Sequence, residues 1–133
     1  MNEIIRNWIK KADNDLKIAK DEMQTDNPAT DMICFHSQQC CEKYIKCFLI
    51  FNNKEIKKTH NISELILECK KIDNEFQELL DENIDKLTDY AVEIRYPEDI
   101  YFPDINEAKE AIKKAEKVRE FVLKKINAKN PNK

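Results

Sequence analysis

The sequence predicts an all-α fold, an antiparallel four-helix bundle with one extra short helix, and three observations carry that expectation. Apolar residues recur at three- and four-residue spacing in five separate segments. Capping and helix-breaking residues bound each segment. Glycine is absent from all 133 residues, which excludes Gly-rich phosphate loops, the nucleophile elbow of serine hydrolases and the glycine-dependent hairpins of β proteins. Charged residues make up 37% of the chain and hydrophobic ones 41%, as expected when long amphipathic helices keep Lys and Glu outside. The length suits one domain over residues 1–128 with its own core, followed by a frayed tail over 129–133.

The first helix is expected from about Asn2 to Met23, with Ile5, Trp8, Ala12, Leu16, Ala19 and Met23 on one face. Asp15 flanks that stripe; a solvated acid is the simpler reading and a buried partner the alternative. Asp26, Asn27 and Pro28 break the helix, and Thr30 or Asp31 can cap the next. That segment, Asp31 to Phe51, is the central helix. Ile33, Ser37, Cys40, Cys41, Tyr44, Cys47, Phe48 and Phe51 form one broad arc, and Gln38, Gln39, Glu42, Lys43 and Lys46 the opposite one. Phe35, Leu49 and Ile50 fall inside the polar half, so that half is expected to meet a second surface, either another helix of this chain or a second copy.

Asn52 and Asn53 terminate the central helix in place of glycine, because Asn tolerates the left-handed conformation. A basic loop follows, with Lys54, Lys57, Lys58 and His60, and the Asn61–Glu64 pair starts a short third helix over Ile62 to Lys71. Asp73 opens a fourth, whose stripe is Phe76, Leu80, Ile84, Leu87, Ala91 and Ile94 and which Pro97 stops. Asp104, three residues before Glu107, starts the fifth, with Ile105, Ala108, Ile112, Ala115, Val118, Val122 and Ile126 expected inward.

The five cysteines, Cys34, Cys40, Cys41, Cys47 and Cys69, lie in apolar surroundings without the paired spacing of a zinc site, so they are expected to be small buried thiols. No metal and no cofactor is predicted. No signal peptide and no apolar run near 18 residues is present, so a cytoplasmic, reduced protein without a membrane span is expected. A net charge of −3 provides no global attraction to nucleic acid, so any such contact must be local.

Three groups of residues could carry chemistry. His36, Gln39 and Lys43 form a polar ridge on the central helix, which is either a binding face or a solvated one. Lys58, Thr59 and His60 form a basic turn before a helix N-terminus, where charge and free backbone N–H groups can hold a phosphate or simply aid solubility. Arg95 and Tyr96 precede Pro97; a guanidinium there can clamp a phosphate or merely complement a helix dipole.

The ordered set FHSQQCCEK, KKTHNISEL and EIRYP, together with Trp8, Ala12, Asp15, Leu16 and Ala19 at the start and Ala108 and Ala115 near the end, resembles the prokaryotic branch of the HEPN domains. The resemblance covers nearly the whole chain and implies a helical bundle that homodimerises, often beside a minimal nucleotidyltransferase in a toxin–antitoxin pair. Many members of that family are metal-independent ribonucleases, in which four to six residues separate an Arg from a following His. Here Arg95 is followed at those positions by Ile100, Tyr101 and Phe102, none of which shuttles a proton near neutral pH. The resemblance therefore implies a nucleotide- or RNA-associated subunit with Lys58, Thr59, His60, Arg95 and Tyr96 at its phosphate site. The alternatives are a ribonuclease using Arg95 with His60 as a non-standard base, and a dimerisation scaffold. Tyr101 stands near, though out of register with, a Tyr that partner transferases modify in some toxins of the wider family.

Overall fold

The computed structural model describes residues 2–91 and 100–129, whose regular structure is all helical, without a strand among them. Helix α1 spans Glu3–Met23, and its first turn is closed by the Asn2 side chain, which accepts from the Ile5 N–H at 2.9 Å. Ile5, Ala12, Asp15, Leu16 and Ala19 are its buried residues, while Trp8 and Met23 of the predicted stripe are only partly buried against the core. Helix α2 spans Thr30–Phe51. Neither Thr30 nor Asp31 caps it: Ala29 occupies the cap position, and its N–H is taken instead by the Glu22 carboxylate at 2.9 Å, which ties the end of α1 to the start of α2. At the other end Asn53 adopts a φ of 60°, and the Asn53 and Lys54 N–H groups return to the Ile50 and Leu49 carbonyls, each at 2.9 Å.

Helix α3, Ile62–Lys70, is capped by Asn61, whose side chain accepts from the Glu64 N–H at 3.1 Å. The fourth stripe folds differently from the expected continuous helix. A 3-10 turn at Asn74–Phe76 leads into the single-turn helix α4, Gln77–Asp81, and a further 3-10 segment runs over Ile84–Ala91. The interruption falls at Asn83, whose φ is 61°. An unbroken helix would stack Glu78 on Glu82 and Asp81 on Asp85, like charges four apart, and Asn is the residue that enters the left-handed region at least cost. The break also changes the register, so that Leu79 is buried and Leu80 only partly. The Ile94 end of that stripe lies outside the described residues.

Helix α5, Ile105–Ala128, is capped by Asp104, which accepts from the Glu107 N–H at 2.7 Å. Its buried line is Ala108, Ala111, Ala115, Val118, Val122 and Ile126. Ile105 is exposed rather than inward, because the buried arc is centred near Ala111 and Ala115 and Ile105 lies about 80° or more from that centre.

Helix α2 is the axis of the bundle. Helix α1 packs antiparallel to it, with the Cys47 thiol on the Ile5 carbonyl at one end and Asp15 beside His36 nearer the other. Helix α5 runs parallel to α2: Phe48, Phe76 and Phe121 stack with centroids 4.5 and 4.9 Å apart at one end, and Cys34, Tyr90 and Glu107 meet at the other. Small side chains at the contacts (Ala12, Ala19, Cys40, Cys41, Cys47, Ala108, Ala111, Ala115) allow both neighbours to approach closely. All five cysteines are free and buried, and burial pushes the thiols up, that of Cys34 to about 11 and that of Cys47 to about 12.

Candidate functional site

Between Met32 and Lys43, α2 leaves only Met32, Phe35, His36, Gln39 and Lys43 accessible, all within about 100° of its circumference. The polar ridge read from the sequence is thus a narrow strip, with buried polar networks on both sides of it.

On the α1 side, His36 Nδ1 lies 2.8 Å from Asp15 Oδ1, and the Lys43 ammonium donates to the other carboxylate oxygen. Asp15 is buried, so the alternative reading of this acid is the correct one. Its place in the stripe, three after Ala12 and four before Ala19, was the signal for that. A carboxylate can only accept, so Nδ1 of His36 carries the hydrogen and Nε2 has no partner among the described residues. The Phe35 ring meets the imidazole edge-on with centroids 5.3 Å apart. Nearby, the more exposed Asp13 accepts from the Tyr44 hydroxyl and from Arg119 Nε at 3.0 Å, linking α1, α2 and α5.

On the opposite side, Gln38, Glu42 and Lys46 are buried rather than solvated. The loop between α2 and α3 returns along α2 and covers them. Glu42 Oε2 accepts from Lys46 Nζ at 2.8 Å, while Oε1 accepts from Gln38 Nε2 and lies beside His60 Nδ1, both at 2.9 Å. Burial pushes the Glu42 carboxyl up, but the donors Lys46, Gln38 and His60 together outweigh it and hold the group below its ordinary value. Gln39 Nε2 donates to the side-chain amide oxygen Oε1 of Gln38 at 2.6 Å, so it joins this network and not that of His36 and Lys43. The line Gln38–Glu42–Lys46 belongs to the half of α2 expected to meet a second surface, and this chain's own packing buries it.

His60 is therefore a half-anchored histidine: its Nδ1 is fixed on a buried carboxylate while 67% of the side chain is exposed, and its Nε2 has no partner among the described residues. Thr59 Oγ1 accepts from the Asn61 N–H at 3.0 Å, shaping the turn, and the exposed Lys58 stands next to it with no carboxylate at ion-pair distance among the described residues. Lys58, Thr59 and His60 thus share one exposed turn. Arg95 and Tyr96, the other two expected site residues, lie outside the described residues. Glu107, which no sequence signal singled out as a site residue, accepts from both Tyr90 and Tyr101 hydroxyls, and burial followed by the Glu107 bond drives the Tyr90 phenol upward. Ile100, Tyr101 and Phe102 are exposed. No group of three His, Cys, Asp or Glu side chains among the described residues is placed to hold a metal ion, and none of the described helices is long and apolar enough to cross a membrane.

This order of elements defines a small all-helical bundle domain, and comparison with known proteins gives its family. The family model of the HEPN domain matches residues 5–126, so the chain belongs to the HEPN family. It is 35% identical over 130 aligned positions to a Methanocaldococcus jannaschii protein named "Putative toxin MJ1304", covering 86% of this chain and 83% of that one. Among solved structures it is similar to the crystal structure of ST0689, an archaeal HEPN homologue, with 28% identity, a TM-score of 0.65 and coverage of 95% of this chain and 99% of that one.

Proposed function

We propose that this HEPN protein is the nucleotide- or RNA-associated subunit of a toxin–antitoxin-like pair, working as a homodimer with a separately encoded minimal nucleotidyltransferase. Its phosphate site comprises Lys58, Thr59, His60, Arg95 and Tyr96. The observation that carries this reading is His60, held through Nδ1 on buried Glu42 beside Lys58, which has no carboxylate at ion-pair distance among the described residues. A fixed imidazole with a free Nε2 and a neighbouring ammonium can together donate to phosphate oxygens. The relative named as a toxin supports the toxin–antitoxin setting.

Titration of a labelled oligoribonucleotide and of ATP into the wild type and the variants His60→Ala and Lys58→Ala tests the site. The reading expects each substitution to weaken binding several-fold, Lys58→Ala with the melting temperature unchanged and His60→Ala with some loss of stability because Glu42 loses a donor; binding unaffected by either removes the site. A second reading, a metal-independent ribonuclease, has one observation in its favour: the His60–Glu42 pair is the arrangement that makes an imidazole a proton shuttle. The side chains of Ile100, Tyr101 and Phe102 weigh against it, since none supplies the second proton-transfer group. Cleavage of RNA by wild type and its loss in His60→Ala with binding retained would favour the ribonuclease.

A further inference from the structure

Beyond the turn at Lys58 and His60, the last turns of α2 and α3 and the loop after α2 enclose a groove of about 630 Å³, lined by Leu49, Lys54, Glu55, Ile56, Lys57, Glu68, Lys71 and Ile72. That is the size of sites that accept several side chains or a small ligand. Its floor is aliphatic: Leu49 is buried, and Ile56 and Ile72 pack on the core with one side still accessible. Its rim is charged. Lys71 and Glu68 compensate each other at 2.7 Å, leaving exposed Lys54 and Lys57 against Glu55, with no carboxylate at ion-pair distance from either lysine among the described residues. Lys57 and Lys54 do reach far enough to help Lys71 hold the Glu68 carboxyl below its ordinary value.

Two properties select among possible occupants. No aromatic side chain among the described residues lines the groove, so these residues offer no platform on which a nucleobase would stack. A lysine rim over an aliphatic floor instead complements a polypeptide that alternates carboxylates with aliphatic side chains, the pattern of an acidic amphipathic helix laid in a groove. Because the chain as a whole carries a net charge of −3, the attraction comes from these local lysines and not from the overall field.

We propose that this groove docks an acidic segment of a partner protein, with aliphatic side chains seated on Leu49, Ile56 and Ile72 and carboxylates on Lys54 and Lys57. The site is separate from Lys58 and His60, so it stands or falls independently of the phosphate-site reading.

The experiment uses the full chain and fluorescence anisotropy with a short labelled peptide that places Leu at every third or fourth position among Glu residues. The expected result is salt-sensitive binding that falls about tenfold in Lys54→Glu/Lys57→Glu, a loss of about 1.4 kcal/mol, and in a peptide with Ser for Leu, while the same charge reversal at exposed Lys10 on α1 leaves it unchanged. Circular dichroism of the double variant checks that it is folded, and Lys54→Gln/Lys57→Gln should give an intermediate loss. Absence of peptide binding, or binding indifferent to both lysine pairs, overturns the proposal. So does an oligouridylate that binds with the same dependence on Lys54 and Lys57 while the peptide does not, since the groove would then be a nucleic-acid surface.

Discussion

Glu42 and His60, eighteen residues apart in sequence, meet at 2.9 Å because the loop after α2 folds back over the helix it has just left. That contact turns a surface-looking stretch of α2 into an interior one and leaves a single imidazole edge at the surface. The functional reading and much of the stability of this side of the bundle rest on the same carboxylate.

Acid should therefore weaken the fold through Glu42. Its folded carboxyl lies below 4.5, its ordinary value, so the stability it contributes is present above that pH and is lost as pH falls through the folded value. Glu42→Gln removes the charge and leaves Lys46, only 9% exposed, without its counter-ion, at a cost of about 3–5 kcal/mol near neutral pH. Chemical denaturation from neutral pH down to the carboxylate range should give a steep loss for wild type and a flatter one for the variant. Parallel curves would show that Glu42 is not the group responsible.

At Asn83 the backbone carries a φ of 61°, so Asn83→Ala should destabilise the chain by about 1–2 kcal/mol, whereas Asn83→Gly should be nearly neutral. Urea midpoints of the two variants decide this. An Ala variant as stable as Gly would mean that the segment refolds into the continuous helix the sequence suggested.

Arg95 is expected to matter for ligand and not for stability. Arg95→Lys keeps the charge but loses the planar fork that grips a phosphate with two hydrogen bonds. Nucleotide or RNA binding should fall several-fold while the melting temperature barely moves. Equal binding by wild type, Arg95→Lys and Arg95→Ala would remove Arg95 from the site.

A homodimer is expected through the accessible strip of α2. Of the three residues that suggested it, Leu49 is buried within its own chain, while Phe35 and Ile50 remain partly accessible and Met32 joins them as an exposed neighbour. Light scattering should give twice the mass of 15.8 kDa, and Phe35→Asp should shift the population toward monomer. A wild-type monomer at tens of micromolar, roughly the strength below which an interface is weak, would end the argument for a two-chain site.

The helices were legible because their caps and stripes are local. Asn2, Asn61 and Asp104 do at their N-termini what their side chains suggest, and Asn53 supplies the left-handed stop that glycine usually provides. The segment from Asp73 was misread because its apolar spacing matches a helix while the break depends on clustered acids and one Asn. The buried polar residues were less legible still. Asp15, Gln38, Glu42 and Lys46 look like surface residues by type, and only the fold-back of the loop and the packing of α1 put them inside. His60 was identified from its neighbours in sequence, but the carboxylate that fixes it lies in another element.

The buried thiols give the molecule its own clock. A thiol reagent attacks the thiolate, and burial both shields these five sulfurs and keeps them protonated. Labelling of the native protein must therefore wait for local opening, and its rate measures how often each helix comes away from the rest. Cys69 reports on short α3, whereas Cys40, Cys41 and Cys47 report on the axis of the bundle. The order in which they react maps the sequence in which the bundle comes apart, with no probe introduced by mutation.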